Sequence, residues 1–99
     1  MSKKTKMKDY KYYLSKYRKE SITKYNNILG TAKRTRMLNI NSYHSLVGEI
    51  NLSIDLEVLY NRLSIREAET IKGHLKIVQN NHLAKLYRFV KEGLFLESK

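Results

Sequence analysis

The sequence predicts an all-α protein, a small helical bundle of three to five helices with a long C-terminal helix. Three observations carry this. Apolar residues recur at spacings of three and four through most of the chain, no period-two alternation lasts more than a few residues, and a capping box opens the longest periodic run. A chain of 99 residues is enough for one domain with a modest core. Residues 1–5 hold no apolar anchor and are expected to form a flexible basic tail, leaving 6–99 as a single helical domain.

The first helix is expected from about Lys6. Tyr10, Tyr13, Leu14, Tyr17, Tyr25, Ile28 and Leu29 fall within about one third of a helical wheel, with Lys8, Lys11, Tyr12, Arg18 and Lys19 opposite. Gly30 can supply the left-handed residue that closes a helix, so the expected end is Leu29. Thr31 to Ser42 lacks periodicity and reads as a connector. Its first half, Thr-Ala-Lys-Arg-Thr-Arg, is basic and rich in hydroxyls, a composition suited to phosphate contacts.

Asn41 or Ser42 can cap a second helix in which Tyr43, Leu46, Val47 and Ile50 share a face. Beyond Asn51 the apolar set changes sides, to Leu52, Leu56, Leu59, Tyr60 and Leu63. Either the helix breaks near Asn51 to Ser53, or one continuous helix is buried between two neighbours. Ser53 as a cap, followed by Asp55 and Glu57 as dipole partners, favours a break.

Ser64-Ile65-Arg66-Glu67 is the capping box. After it, Ala68, Ile71, Leu75, Val78, His82, Leu86 and Phe89 keep one stripe for over six turns. A helix from Ile65 to about Glu92 would be about 40 Å long, more than a compact domain of this size with a radius of gyration of about 13 Å accommodates. It is therefore expected to kink near Asn80-Asn81, to project, or to pack against a partner, with a homodimer through 65–92 as one outcome. Gly93 ends it, and Leu94, Phe95 and Leu96 either fold back or dock on another chain.

The charge is lopsided. The chain carries 20 Lys and Arg against 9 Asp and Glu, a net +11, and the stretch Lys3 to Arg36 holds 12 cations against Asp9 and Glu20, which is +10. Five of the eight tyrosines lie in the same stretch. Clustered cations beside flat rings point to a polyanionic partner. Abundant Ile, Asn, Lys and Tyr with no Pro also match the codon usage of an AT-rich bacterium or its phages and plasmids, which alone would raise the lysine content.

Catalytic constellations are missing. There is no cysteine, the four glycines are isolated, and His74 and His82 lie two turns apart with no ligand motif around them, so neither an enzyme nor a metal or other cofactor is expected. His82 reads as a packing histidine. A helix-turn-helix centred on Asn51 places Glu57 where a buried aliphatic residue belongs and puts acids on the reading surface. The N-terminus has no apolar run for a signal or a membrane span, and a cytoplasmic location is expected. Stable membrane insertion is not, because the apolar face of the basic helix is mostly tyrosine.

The expected function is nucleic-acid binding, DNA ahead of RNA, mainly to the phosphate backbone, in a phage- or plasmid-encoded regulator. The residues expected to carry it are Lys8, Lys11, Tyr12, Lys16, Arg18, Lys19, Lys33, Arg34 and Arg36, with Tyr12 placed to stack on a base. The rival is a regulator or inhibitor that binds an acidic surface of a host protein.

Overall fold

The computed structural model describes residues 10–97, and these form an all-α protein. Helices α1 (Tyr10–Thr35), α2 (Ile40–Leu59) and α3 (Ile65–Lys91) are joined by short connections, with two-residue strands β1 (Met37–Leu38) and β2 (Leu96–Glu97). The expected tail and the start of the first helix at Lys6 lie outside the described residues. Among the described residues the C-terminal helix spans 27 residues and α1 spans 26.

Helix α1 runs through Gly30 instead of stopping before it. Its inward stripe continues to Ala32, which is fully packed, so ending at Leu29 would uncover core. The left-handed residue that does close it is Arg36, at φ 64°, whose amide donates to the Ala32 carbonyl at 2.7 Å.

Helix α2 begins earlier than expected, and it does not break. Asn39 is its cap, the side chain accepting from the Ser42 amide at 3.3 Å. Ile40, Tyr43, Leu46, Ile50, Ile54 and Glu57 form one buried stripe at spacings of three and four, and this holds the helix together across Asn51. Ser53 donates its hydroxyl to the Glu49 carbonyl at 3.0 Å, one turn back, and caps nothing. An unbroken α2 leaves no turn for a helix-turn-helix. Glu57, near the C-terminal end, is a buried side chain and not an N-terminal dipole partner. Asn61, at φ 62°, closes the helix, with Asn61 and Arg62 amides donating to Val58 and Glu57 carbonyls in a Schellman pattern.

Helix α3 starts at the capping box. Ser64 Oγ accepts from the Glu67 amide at 3.0 Å, and Glu67 Oε1 accepts from the Ser64 amide at 2.9 Å. It is one unbroken helix through Asn80-Asn81. Gly93, at φ 79°, ends it, with Gly93 and Leu94 amides donating to Val90 and Phe89 carbonyls. The helix needs no projection because the whole body is drawn out, 56 × 21 × 18 Å with a radius of gyration of 16.1 Å.

Tyr17 meets Glu57 and Tyr25 meets Tyr43, so α2 runs antiparallel to α1. Tyr43 meets His82 and Asp55 meets Lys72, so α3 turns back again and lies parallel to α1. Both parallel helices therefore finish at the same pole, and the dipeptides that follow them pair in parallel, Met37 with Leu96 and Leu38 with Glu97. Residues 94–96 thus fold back on their own chain, and Phe95 sets its ring edge-on to Phe89. The stripe Ala68, Ile71, Leu75, His82 and Leu86 is buried inside the bundle. Gln79, one residue on from the expected Val78, completes it.

Candidate nucleic-acid interface

The three helices divide the charge unequally. Across 10–36, α1 and its closing residue carry eight cations against Glu20 alone, +7. Helix α2 carries Glu49, Asp55 and Glu57 and no Lys or Arg, −3. Helix α3 carries six cations against Glu67 and Glu69, +4. Two parallel helices are thus strongly basic, and the antiparallel one is acidic.

On α1 the buried side is made of Tyr13, Tyr17, Ser21, Tyr25 and Ala32, and this fixes which residues face out. Lys11, Tyr12, Lys16, Arg18, Lys19, Lys33, Arg34 and Arg36 are all exposed; Lys8 lies outside the described residues. They do not form one compact patch. Lys16 sits over the Tyr17 ring, 5.2 Å from its centroid, in the groove that α1 shares with Leu56, Tyr60 and Arg62. By helical spacing Lys11 and Arg18 lie on the opposite edge, toward α3, with Lys19 between the two edges. Lys33, Arg34 and Arg36 gather at the far pole, about 35 Å from Lys11 along the helix.

Two ion pairs occur among the described residues, Glu57 with Arg62 and Asp55 with Lys72, and neither uses a cation of α1. Arg34 donates to the Thr31 hydroxyl at 3.3 Å. Lys33 and Arg34 also occupy the last turn of α1, where helix carbonyls favour cations. Beside this cluster lies a cleft of about 500 Å³, lined by Asn27, Thr31, Thr35, Asn39 and Ser42, where the amino end of α2 emerges. Tyr12 is 44% exposed and stands edge-on to Tyr13, 5.1 Å between centroids.

The tyrosines under this surface belong to the core. Tyr17 donates to Glu57 Oε2 at 3.0 Å, and Arg62 Nε donates to Glu57 Oε1 at 2.5 Å, so the buried carboxylate is satisfied from two sides. Burial, then the hydrogen bond to Glu57, pushes the Tyr17 phenol far above its usual range. The bond to Glu57 likewise raises the Arg62 guanidinium. At mid-bundle, His82 stacks on Tyr25 with centroids 4.0 Å apart and planes 9° apart, and its Nδ1 lies 2.6 Å from the Tyr43 hydroxyl. Burial, then Lys85, lowers the His82 pKa, which favours the neutral imidazole in this contact. Burial pushes Tyr43 itself up to about 12. Gln79 Nε2 donates to the fully buried Ser21 hydroxyl at 3.5 Å.

The exposed cations of α3, Arg66, Lys76, Lys85, Arg88 and Lys91, were not among the expected contacts. The signal available for them was weak: Lys85, Arg88 and Lys91 recur every three residues, but a run of basic residues at a helix C-terminus is also what its dipole favours. Among the described residues no cluster of His, Asp and Glu could hold a metal ion, and no helix is long and apolar enough to cross a membrane. No protein-family model, curated protein or solved structure matches the chain.

Proposed function

We propose that this protein binds nucleic acid, chiefly through the phosphate backbone of duplex DNA, with the outer face of α1 as the main contact and the neighbouring cations of α3 extending it. The observation that carries the reading is the set of eight cations on α1 and its closing residue, none of which forms an ion pair with a carboxylate among the described residues. Cations not neutralised by a carboxylate keep their field for a ligand. The two groups at either end of α1 are separated by about one turn of B-form DNA, so they can reach phosphates on two successive turns of the backbone along one side of the duplex. Lys11, Lys16, Arg18 and Lys19 contact phosphates at one end, where Tyr12 stacks on a base or bonds a phosphate, and Lys33, Arg34 and Arg36 contact phosphates at the other.

The test is binding of the full chain to duplex DNA across a salt series. Neutralising about six phosphates gives a log–log slope of about −5. A Lys11→Gln/Lys16→Gln/Arg18→Gln/Lys19→Gln variant stays folded, because all four side chains are exposed, and its slope falls to about −2. Unchanged affinity in that variant removes α1 from the contact surface. A protein with an acidic surface would be drawn to the same face. Capture from lysate separates the two: loss of the partner on nuclease treatment supports nucleic acid, and a stoichiometric protein that survives it supports the rival.

A further inference from the structure

Resting on the nucleic-acid reading above, we propose that Tyr60 and Arg62, on the turn between α2 and α3, form a stacking platform for an unpaired base. The preferred ligand is then duplex DNA with a single-stranded extension. Among the described residues the exposed tyrosines are Tyr12, Tyr60 and Tyr87, and Tyr60, at 60%, is the most exposed. A lone exposed ring is ordinary. Tyr60 differs in carrying the Arg62 guanidinium over one face, 5.0 Å from the ring centroid. Both groups are held in place. The Tyr60 amide donates to the Leu56 carbonyl at 3.0 Å and the Arg62 amide to the Glu57 carbonyl at 2.8 Å, on either side of the left-handed Asn61. Buried Glu57 accepts from Arg62 Nε, which anchors the guanidinium while the Arg62 side chain stays 47% exposed. A ring and a guanidinium fixed together make a surface on which any base can stack, because every base has a flat π-face.

The surroundings suit a base better than a phosphate. Tyr60 and Arg62 line a groove of about 370 Å³ whose other wall, on α1, includes Lys16 and Glu20. The two cations in this groove, Lys16 and Arg62, are matched by two acids, Glu20 and Glu57, so its charge is close to balanced. The exposed Lys11 and Lys19 stand outside it on α1. A charge-balanced groove with an aromatic wall, flanked by a cationic helix face, fits a neutral base whose own phosphates lie on that face. Bases inside a duplex are stacked on one another and present no free face, so only an unpaired one can enter. Lys16 belongs both to the α1 contact and to the groove, so a strand leaving a duplex held on α1 reaches Tyr60 without crossing another element.

Fluorescence anisotropy of the full chain tests this against a blunt duplex, the same duplex with a thymidine extension, and the same duplex with an abasic extension of equal length. The two extensions carry the same phosphates and differ only in their bases. The thymidine extension should bind about tenfold tighter than the abasic one, the effect of one stacked base. That ratio should hold through a salt series in which affinity for every probe falls, because the two extensions release the same counterions. Tyr60→Leu should bring the ratio to about one, with helicity and blunt-duplex affinity unchanged, and Tyr60→Trp should keep it. Equal binding of the two extensions by the wild-type chain overturns the proposal and leaves the duplex reading standing. So does a ratio that Tyr60→Leu does not change. Failure to bind any of the probes removes the nucleic-acid reading and the platform together.

Discussion

Helices α1 and α2 are antiparallel neighbours that bury similar stripes against the same core, yet their outward faces are opposites. One carries eight cations with its closing residue, the other none. Packing decides only the inward positions, so the difference was free to vary. It also bears on where the lysines come from. At the chain average of 20 Lys and Arg in 99 residues, a 20-residue helix would hold about four. A codon bias acting on the whole gene would spread them over all three helices. Their absence from α2 and excess on α1 is segregation, and segregated charge is what a docking surface requires.

The contrast can be broken most forcefully at the cationic helix, by comparing its two ends. Replacing Lys11, Lys16, Arg18 and Lys19 by Gln removes about four phosphate contacts and shifts the salt slope by about 3 to 4. The same change at Lys33, Arg34 and Arg36 shifts it less, by about 2, because Arg34 is bonded to Thr31 and the helix end already holds the last-turn cations. Equal losses at both ends would mean that the helix carbonyls do not compete with phosphate. Leu52→Gln/Leu59→Gln should leave DNA affinity per monomer unchanged in the same titration.

The next effect concerns the polar seam between the two helices. Glu57→Ala leaves the Tyr17 hydroxyl without its acceptor and should cost about 2 kcal/mol, held down because Arg62 is half exposed and regains water. Urea unfolding reads this directly, and a cost near zero would mean that the buried carboxylate is not anchored by its partners. Tyr43→Phe removes the hydroxyl that is hydrogen-bonded to His82 and should cost about 1 kcal/mol.

His82 adds a pH dependence. Its folded-state pKa lies below the ordinary 6.5, so the unfolded chain binds the proton more readily. Its contribution is complete above 6.5 and is lost as pH falls from there through the folded value. Stability measured across this window should decline toward acid, and His82→Gln should flatten the decline. At the alkaline side the sign reverses. Tyr13, Tyr17, Tyr25 and Tyr43 are all raised above 10 by burial, so stability falls as pH climbs past 10, and the share of tyrosinate absorbance that belongs to these four should appear together with unfolding. The smallest effect is at Gly30, whose added Cβ would meet only Arg34 Nη1 at 3.8 Å. In a helix interior Gly30→Ala should stabilise by about 0.5–1 kcal/mol, the opposite of what a closing glycine would show.

The sequence made the helical class, the capping box at Ser64 and the stop at Gly93 legible, because each depends on residues close together in the chain. It misled where a local signal competed with a tertiary one. Gly30 resembled a terminator until the burial of Ala32 outweighed it. Asn51 to Ser53 resembled a break because Leu52, Leu56 and Leu59 are more conspicuous than Ile54 and Glu57, the residues that continue the buried stripe. Glu57 could not be recognised as core without knowing that Tyr17 and Arg62 reach it. The candidate surface was legible on α1, where cations and tyrosines alternate by face. Its extension onto α3 was not, since the parallel placement of the two helices arises only from the complete bundle.

The most direct test of the division between the helices is a backbone amide shift map of the full chain titrated with a short DNA duplex at low salt. Perturbations should concentrate on the exposed positions of α1 and on α3 at Lys85, Arg88 and Lys91, with Leu52 and Leu59 silent. A map centred on Leu52 and Leu59 of α2, with α1 unmoved, would contradict the account.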